Sequence, residues 1–224
     1  MVVPPAPAQT IPLNQGYLLT KRLFDVIFTL LILLPLCLIT AIVSILIRLD
    51  SKGPIFFRQK RIGVQGTEFE MLKFRSMYVN HDDALHRTAV KRYMNGETLN
   101  SKAHASLSYK LEDDPRITRV GRFIRKTSID ELPQFFNVLR GDMTLVGPRP
   151  PVPYEVELYQ ARDWLRLSGK PGLTGYWQVY GRSQVSFQEM VEMDIAYLQS
   201  QSFWEDMKLI TRTIPVMLKG CGGA

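Results

Sequence analysis

Cysteine and histidine are scarce in this sequence. Its two cysteines, Cys37 and Cys221, lie far apart, one in an apolar run and one in a glycine-rich tail. A disulfide framework is therefore excluded, and neither cysteine belongs to a metal-ligand spacing. Three scattered histidines, His81, His86 and His104, give a zinc site too little to build on; His81 and His86 read as surface residues. Acidic residues are also in deficit, 21 against 28 lysines and arginines, for a net charge of +7. Such a balance points to an anionic partner: nucleic acid, phospholipid headgroups or a phosphorylated substrate. Composition does not choose among these.

Charge is missing altogether from Val26 to Ile47. About 20 apolar residues are enough to cross a bilayer. The run is long for a secretory signal, and no small-residue cleavage site goes with it. Pro35 sits in its middle, where it removes a backbone donor and predicts a bend. Basic residues flank both ends: Lys21 and Arg22 before, then Arg48, Lys52, Arg58, Lys60 and Arg61. A single span remains an alternative. The positive-inside rule favours a re-entrant hairpin, since both ends satisfy it only if the helix bends near Pro35 and returns. Residues 1–16, rich in Pro, Ala and Gln, read as a disordered tail. The expected organisation is that tail, a re-entrant membrane helix over 17–50, a catalytic domain over 51–220 and a flexible end at 221–224. The expected class is α+β: a proline-broken membrane hairpin, then a mainly helical cytosolic domain with a small β-hairpin or sheet.

After a turn at Ser51-Lys52-Gly53-Pro54, residues 55–63 and 69–77 read as two paired strands. Alternation puts Lys73 and Arg75 on one face of the second, with Leu72 and Phe74 on the other. Two cations on one face suit an anion, though a solvated face has the same pattern. Asp82 to Met94 fits a helix stopped by Asn95-Gly96, within a polar stretch over 80–112 that reads as an insertion or mobile loop.

Asp113-Asp114-Pro115-Arg116 signals a turn. Thr118 can cap a helix running to Lys126, with Val120, Phe123 and Ile124 inward and Arg119, Arg122, Arg125 and Lys126 making it basic. Ser128-Ile129-Asp130-Glu131 has the form of a capping box; with Pro133 early in the next helix, Asp130 is the better-placed cap. Leu132, Phe135, Phe136 and Leu139 give that helix an apolar face, and Gly141 is its stop. The pair Asp130–Glu131 then projects from a helix start beside arginines, an arrangement expected to keep both acids ionised. An ionised carboxylate is a competent nucleophile toward phosphorus. A second one beside it can hold Mg²⁺. Glu131 as a mere cap explains the local pattern equally well. Prolines on both sides of Arg149 restrict its backbone and favour a binding role for its guanidinium.

These segments together resemble the bacterial sugar transferase family, the monotopic phosphoglycosyl transferases, over about residues 20–220. The resemblance rests on Lys21-Arg22-x-x-Asp25, Gly53-Pro54-Ile55-Phe56-Phe57-Arg58-Gln59, Lys73-Phe74-Arg75-Ser76-Met77 and Asp114-Pro115-Arg116-Ile117-Thr118. It continues through Thr127 to Gln134, Val146 to Pro150, Pro171 to Gly175 and Gln178 to Arg182. It implies a two-step reaction, the first membrane step of exopolysaccharide, capsule or O-antigen synthesis. Asp130 would attack the β-phosphate of a UDP-sugar and expel UMP, and undecaprenyl phosphate would take the sugar phosphate from the aspartate. Glu131 aligns with the acid that works with the nucleophile and Mg²⁺. Lys73, Arg125 and Arg149 align with phosphate-binding cations, and Arg75, Arg116 and Arg182 match family motifs on the substrate side. The resemblance also implies the bacterial inner membrane with the catalytic domain facing the cytoplasm, contact with membrane phospholipid, and a possible homodimer. Family members share the proline-broken helix, many with a serine before the proline; here Leu34 takes that place. Larger relatives carry a further N-terminal membrane region, and the chain is expected to be a complete catalytic unit without it.

Gly175-Tyr176-Trp177-Gln178 and the 80–112 insertion look more like members that use UDP-glucose or UDP-galactose than those using N-acetylated UDP-sugars. Tyr154 to Leu167 fits one helix. Phe203 to Lys219 fits another, interfacial or core, that Pro215 should bend or end. A reading from another class is a basic membrane-bound scaffold that binds anions without catalysis; it leaves Asp130–Glu131 unused. Nucleic-acid binding is disfavoured, because the basic residues cluster around acids rather than exposed aromatics.

Overall fold

The computed structural model describes residues 10–79, 84–96, 114–181 and 184–218. Residues 1–9 of the expected 1–16 tail, most of the 80–112 insertion, Arg182 and the end at 221–224 lie outside these; the rest of that tail is ordered, since the Ile11 amide donates to the Ser168 hydroxyl and α1 begins at Gln15. In chain order the described elements are α1 (Gln15–Leu31), α2 (Leu33–Asp50), β1 (Phe56–Ile62), β2 (Glu68–Phe74) and α3 (Ala84–Met94). There follow α4 (Arg119–Lys126), α5 (Gln134–Arg140), β3 (Thr144–Val146), α6 (Pro153–Val156), β4 (Gly172–Thr174), α7 (Phe187–Ser200) and α8 (Phe203–Leu218). The fold is mostly helical, with two small two-stranded sheets.

The apolar run is divided at Ile32 into α1 and α2. Asn14 starts α1 by accepting the Tyr17 amide. Along α1, Lys21, Asp25 and Thr29 are buried at helical spacing, while Leu19, Leu23, Ile27 and Leu30 are exposed. A water-soluble helix turns its apolar stripe inward; here the polar stripe faces the protein. Among the described helices α2 alone is both long and apolar enough to cross a membrane, and most of it is not covered by protein.

The polar stripe of α1 fastens it to the rest of the chain. Lys21 Nζ pairs with Asp206 of α8 at 2.5 Å and donates to the Tyr197 hydroxyl of α7 at 3.1 Å. The Arg22 guanidinium donates to the Val138 and Leu139 carbonyls in the last turn of α5, where carbonyls run short of intrahelical donors. Asp25 accepts the Thr144 hydroxyl and the Leu145 amide of β3.

β1 and β2 pair antiparallel with Phe57 opposite Lys73; β3 and β4 pair parallel, Thr144 opposite Gly172. The main core draws Met71 from β2, Val138 from α5, Leu145 and Val146 from β3, and Tyr197, Leu198 and Leu209 from α7 and α8. A second cluster joins Val43 and Ile47 of α2 to Phe74 of β2 and Ile124 of α4.

Three expectations change. Residues 154–167 form not one helix but α6 and a 3₁₀ segment at Asp163–Ser168; the Asp163 carboxylate accepts the Gln160 amide, a local bond that competes with a continuous helix. Pro215 lies inside α8, which runs on to Leu218. Phe123 points outward at 58% exposure, because Gly121 and Ile124 take the inner face of α4.

Candidate active site

The site is built where β2, α4 and the segment between α4 and α5 converge. Thr118 caps α4 by accepting the Gly121 amide. Ser128 then adopts φ +56°, in the left-handed region, and turns the chain sharply. A 3₁₀ turn, Ile129–Glu131, carries the two acids, and α5 begins only at Gln134 with no side-chain cap. The capping box expected from Ser128 and Glu131 is therefore not formed: the left-handed backbone at Ser128 takes its hydroxyl out of capping geometry. Glu131 instead accepts a hydrogen bond from Lys73 Nζ at 2.7 Å.

Asp130 is 6% exposed, and its Oδ1 is buried without a hydrogen-bond partner. Burial pushes its carboxyl up to about 6; Lys73 and Arg125 pull it down, and the Glu131 charge between them pushes it up. Desolvation thus opposes the cations expected to keep both acids ionised, and at Asp130 it outweighs them, though a value of about 6 still leaves the carboxyl mostly ionised at neutral pH.

Asn137, fully buried on α5, ties that helix, which follows the two acids, to the strand of Lys73. Its Oδ1 accepts the Leu72 amide at 2.9 Å, and its Nδ2 donates to the Glu70 carbonyl at 2.7 Å. It thus replaces a missing strand along that edge of β2. Only a polar residue amid Phe135, Phe136, Val138 and Leu139 signalled it in the sequence.

The remaining sequence-selected cations are dispersed. Arg125 stands close enough to lower both Asp130 and Asp114. Arg116 makes a two-pronged bond to Asp114, at 2.8 and 2.7 Å, which holds that carboxyl below its usual range. Arg75 does not join Lys73: β2 ends at Phe74, and the Arg75 guanidinium turns to the Ser51 and Lys52 carbonyls. Pro35 lies in the first turn of α2, three residues beyond the break at Ile32.

Arg149 anchors a second polar cluster. It stacks over Trp177 at 5.5 Å and pairs with Glu155 at 3.6 Å. Glu155 also receives Arg166, which is fully buried, bonds Asp194 and donates to the Arg149 carbonyl. Trp177 opens a π-helical turn, Trp177–Gly181. Sequence reading found Arg149 but not Glu155, Arg166 or Asp194, which come from three different elements.

The sequence profile of bacterial sugar transferases matches residues 16–220. The chain belongs to the bacterial sugar transferase family. It is 46% identical over 211 residues to the galactosyl transferase CpsE of Streptococcus agalactiae, covering 93% of this chain and 44% of that protein. It is 40% identical to the exopolysaccharide production protein ExoY of Sinorhizobium fredii, over 89% of this chain and 85% of that one. It is 36% identical to the UDP-glucose:undecaprenyl-phosphate glucose-1-phosphate transferase of Escherichia coli, over 95% of this chain and 43% of that one. The chain thus spans less than half the length of two of these sugar transferases and most of the third.

Chemically, the Asp130 cluster offers one desolvated, unpartnered carboxylate oxygen with two cations and a second acid around it. The two acids also suit a hard divalent cation. Among the described residues no group of three metal-ligating side chains forms, so an ion held here would draw its remaining ligands from water and substrate phosphates, as Mg²⁺ does.

Proposed function

We propose that this chain transfers a sugar 1-phosphate from UDP-galactose or UDP-glucose to undecaprenyl phosphate, with Asp130 as nucleophile. The observation that carries the mechanism is the buried, unpartnered Oδ1 of Asp130 between Lys73 and Arg125. The names and extent of the relatives support the substrates.

In the first step an ionised Asp130 oxygen attacks the β-phosphorus of the UDP-sugar. A bond forms from that oxygen to phosphorus, the bond to the bridging oxygen breaks, and UMP leaves with the electron pair. In the second step a phosphate oxygen of the lipid attacks the same phosphorus and frees the Asp130 carboxylate, giving a polyprenyl diphosphate sugar. One phosphorus–oxygen bond is exchanged for another at each step. Lys73 and Arg125 offset the negative charge that collects on the transferring group. Asn137 and the bend at Ser128 hold Asp130 in place. Asp130 and Glu131 would hold Mg²⁺, which when bound supplies charge neutralisation at the phosphates. Arg149 on Trp177 is a third phosphate-side cation; Arg75 and Arg116 are occupied structurally and fall outside the proposed chemistry.

Pro35 lacks the donor that the Leu31 carbonyl needs, which accounts for a break at Ile32. We read α1 and α2 as a re-entrant hairpin in the cytoplasmic leaflet of the bacterial inner membrane. The outward apolar stripe of α1 and the uncovered α2 support immersion, and the basic residues at both ends support a single side.

The test is UMP release by the full chain in membranes containing undecaprenyl phosphate and Mg²⁺, with UDP-galactose, UDP-glucose and their N-acetylated counterparts. Release with either hexose, abolished by Asp130→Asn with nucleotide binding retained, is expected. No release with any sugar sinks the transferase reading. Undiminished turnover in the variant removes Asp130 as nucleophile.

A further inference from the structure

The exit of α2 meets the site at a junction whose polar groups the proposed chemistry leaves unused. Asp50 is the last residue of α2, and its Oδ2 accepts the Val120 amide at 3.0 Å. Val120 lies in the first turn of α4, where backbone amides have no intrahelical acceptor. Thr118 satisfies the Gly121 amide from within the helix; Asp50 satisfies its neighbour from another element, with a negative charge the helix dipole favours.

The same exit is tied to β2. The Arg75 guanidinium donates to the Lys52 carbonyl at 3.0 Å, and to the Ser51 carbonyl and hydroxyl at 2.7 and 2.9 Å. α4 itself lies against the end of β2, since the Thr118 amide donates to the Ser76 carbonyl. A Cβ added to Gly121 would stand 2.0 Å from that carbonyl oxygen. Beneath these bonds Val43 and Ile47 of α2 pack on Phe74 and Ile124. One path therefore runs from the strand of Lys73, through Arg75, to the last turn of α2, and through Asp50 to the helix of Arg125. Lys73 and Arg125 are the two cations that act on Asp130.

We infer that Asp50 is a positioning residue for the transfer reaction: through α4 it fixes where Arg125 stands relative to Lys73 and Asp130. The inference rests on the proposed transferase reading. It assigns to the last residue of the apolar helix a role in the site's electrostatics, in addition to anchoring. Loss of Asp50 leaves the Thr118 cap and the Ser76 contact in place, so α4 should persist while its placement loosens.

A double-mutant cycle tests this in the full chain in membranes, with kcat and KM for UMP release from the preferred UDP-sugar. Asp50→Ala is expected to lower kcat about tenfold with KM little changed, the mark of a contact made in the transition state. Asp50→Asn keeps an acceptor oxygen and should recover much of the loss. In an Arg125→Ala background, Asp50→Ala should cost nothing more. Additive losses, or an unchanged kcat for Asp50→Ala, overturn the inference. Amide hydrogen exchange reads the same link without turnover. Asp50→Ala should speed exchange from Val120 to Arg125 and leave β1 and β2 unchanged. Unchanged exchange in α4, or a loss of protection throughout, overturns it. If no UDP-sugar releases UMP, the transferase reading falls, and the exchange pattern still decides whether Asp50 holds α4.

Discussion

Asp130 occupies a place that opposes its own ionisation. Its folded pKa is raised to about 6, so between the unfolded value near 4 and about 6 the native state binds more protons than the unfolded one. Stability then falls as pH rises through that window and stays lowered above it. Asp130→Asn removes this cost. In chelator at neutral pH the variant should melt above the parent, by about 2–4 °C for each kcal/mol relieved, and the gap should close toward pH 4. Thermal unfolding followed across pH checks this; a variant that melts lower at pH 7 contradicts it. A site that gained stability on losing its proposed nucleophile would be trading stability for activity. The sequence made Asp130 visible as one of two adjacent acids near arginines. It could not show the burial, because that depends on how Ser128 turns. The Ser-x-x-Glu spacing matched a capping box, yet a pattern of residue types carries no φ angle.

At the scale of elements, local chemistry was legible and tertiary bonding was not. Thr118 as a cap, Gly141 as a stop and the β1–β2 pair depend on neighbours within a few residues, and the structure has all three. Arg75 was grouped with Lys73 by alternation, which fails one residue past the strand end. Asn137, Asp50 and Arg166 serve partners far along the chain, which no local pattern records. Gly121 shows the difference within α4. Its small size reads as a weakness in a helix, worth about 1 kcal/mol against alanine in a free surface position. Here alanine would push a carbon into the Ser76 carbonyl. Gly121→Ala is therefore expected to destabilise the protein, by about 1–3 kcal/mol as overpacking does, and to displace Arg125 with the helix. Chemical denaturation of the variant checks the sign; a stabilised protein would mean that α4 does not lie on β2.

For the whole molecule the central question is whether α1 and α2 form the proposed hairpin in a bilayer. With Cys37 and Cys221 replaced, single substitutions Gly16→Cys and Lys52→Cys place probes in the first turn of α1 and just after α2. The hairpin proposal expects both to react with a membrane-impermeant thiol reagent only from the cytoplasmic side. Labelling of residue 16 only from the opposite face would make the segment a single span. Both readings are legible in the sequence, because hydropathy counts residues and does not record direction. The inverted stripe of α1, with Lys21, Asp25 and Thr29 toward the protein, needed the folded neighbours to be seen.

The Lys21–Asp206 pair joins residues 185 positions apart. At about 5–20 residues per second of synthesis, α1 leaves the ribosome roughly 10–40 s before its partner exists. Through that interval Lys21 lacks its acceptor, while Asp25 waits for Thr144 and Leu145, 119 and 120 positions ahead. If α1 and α2 enter the bilayer as proposed, they do so before Asp206 exists, and the Lys21–Asp206 pair closes on a chain already at the membrane.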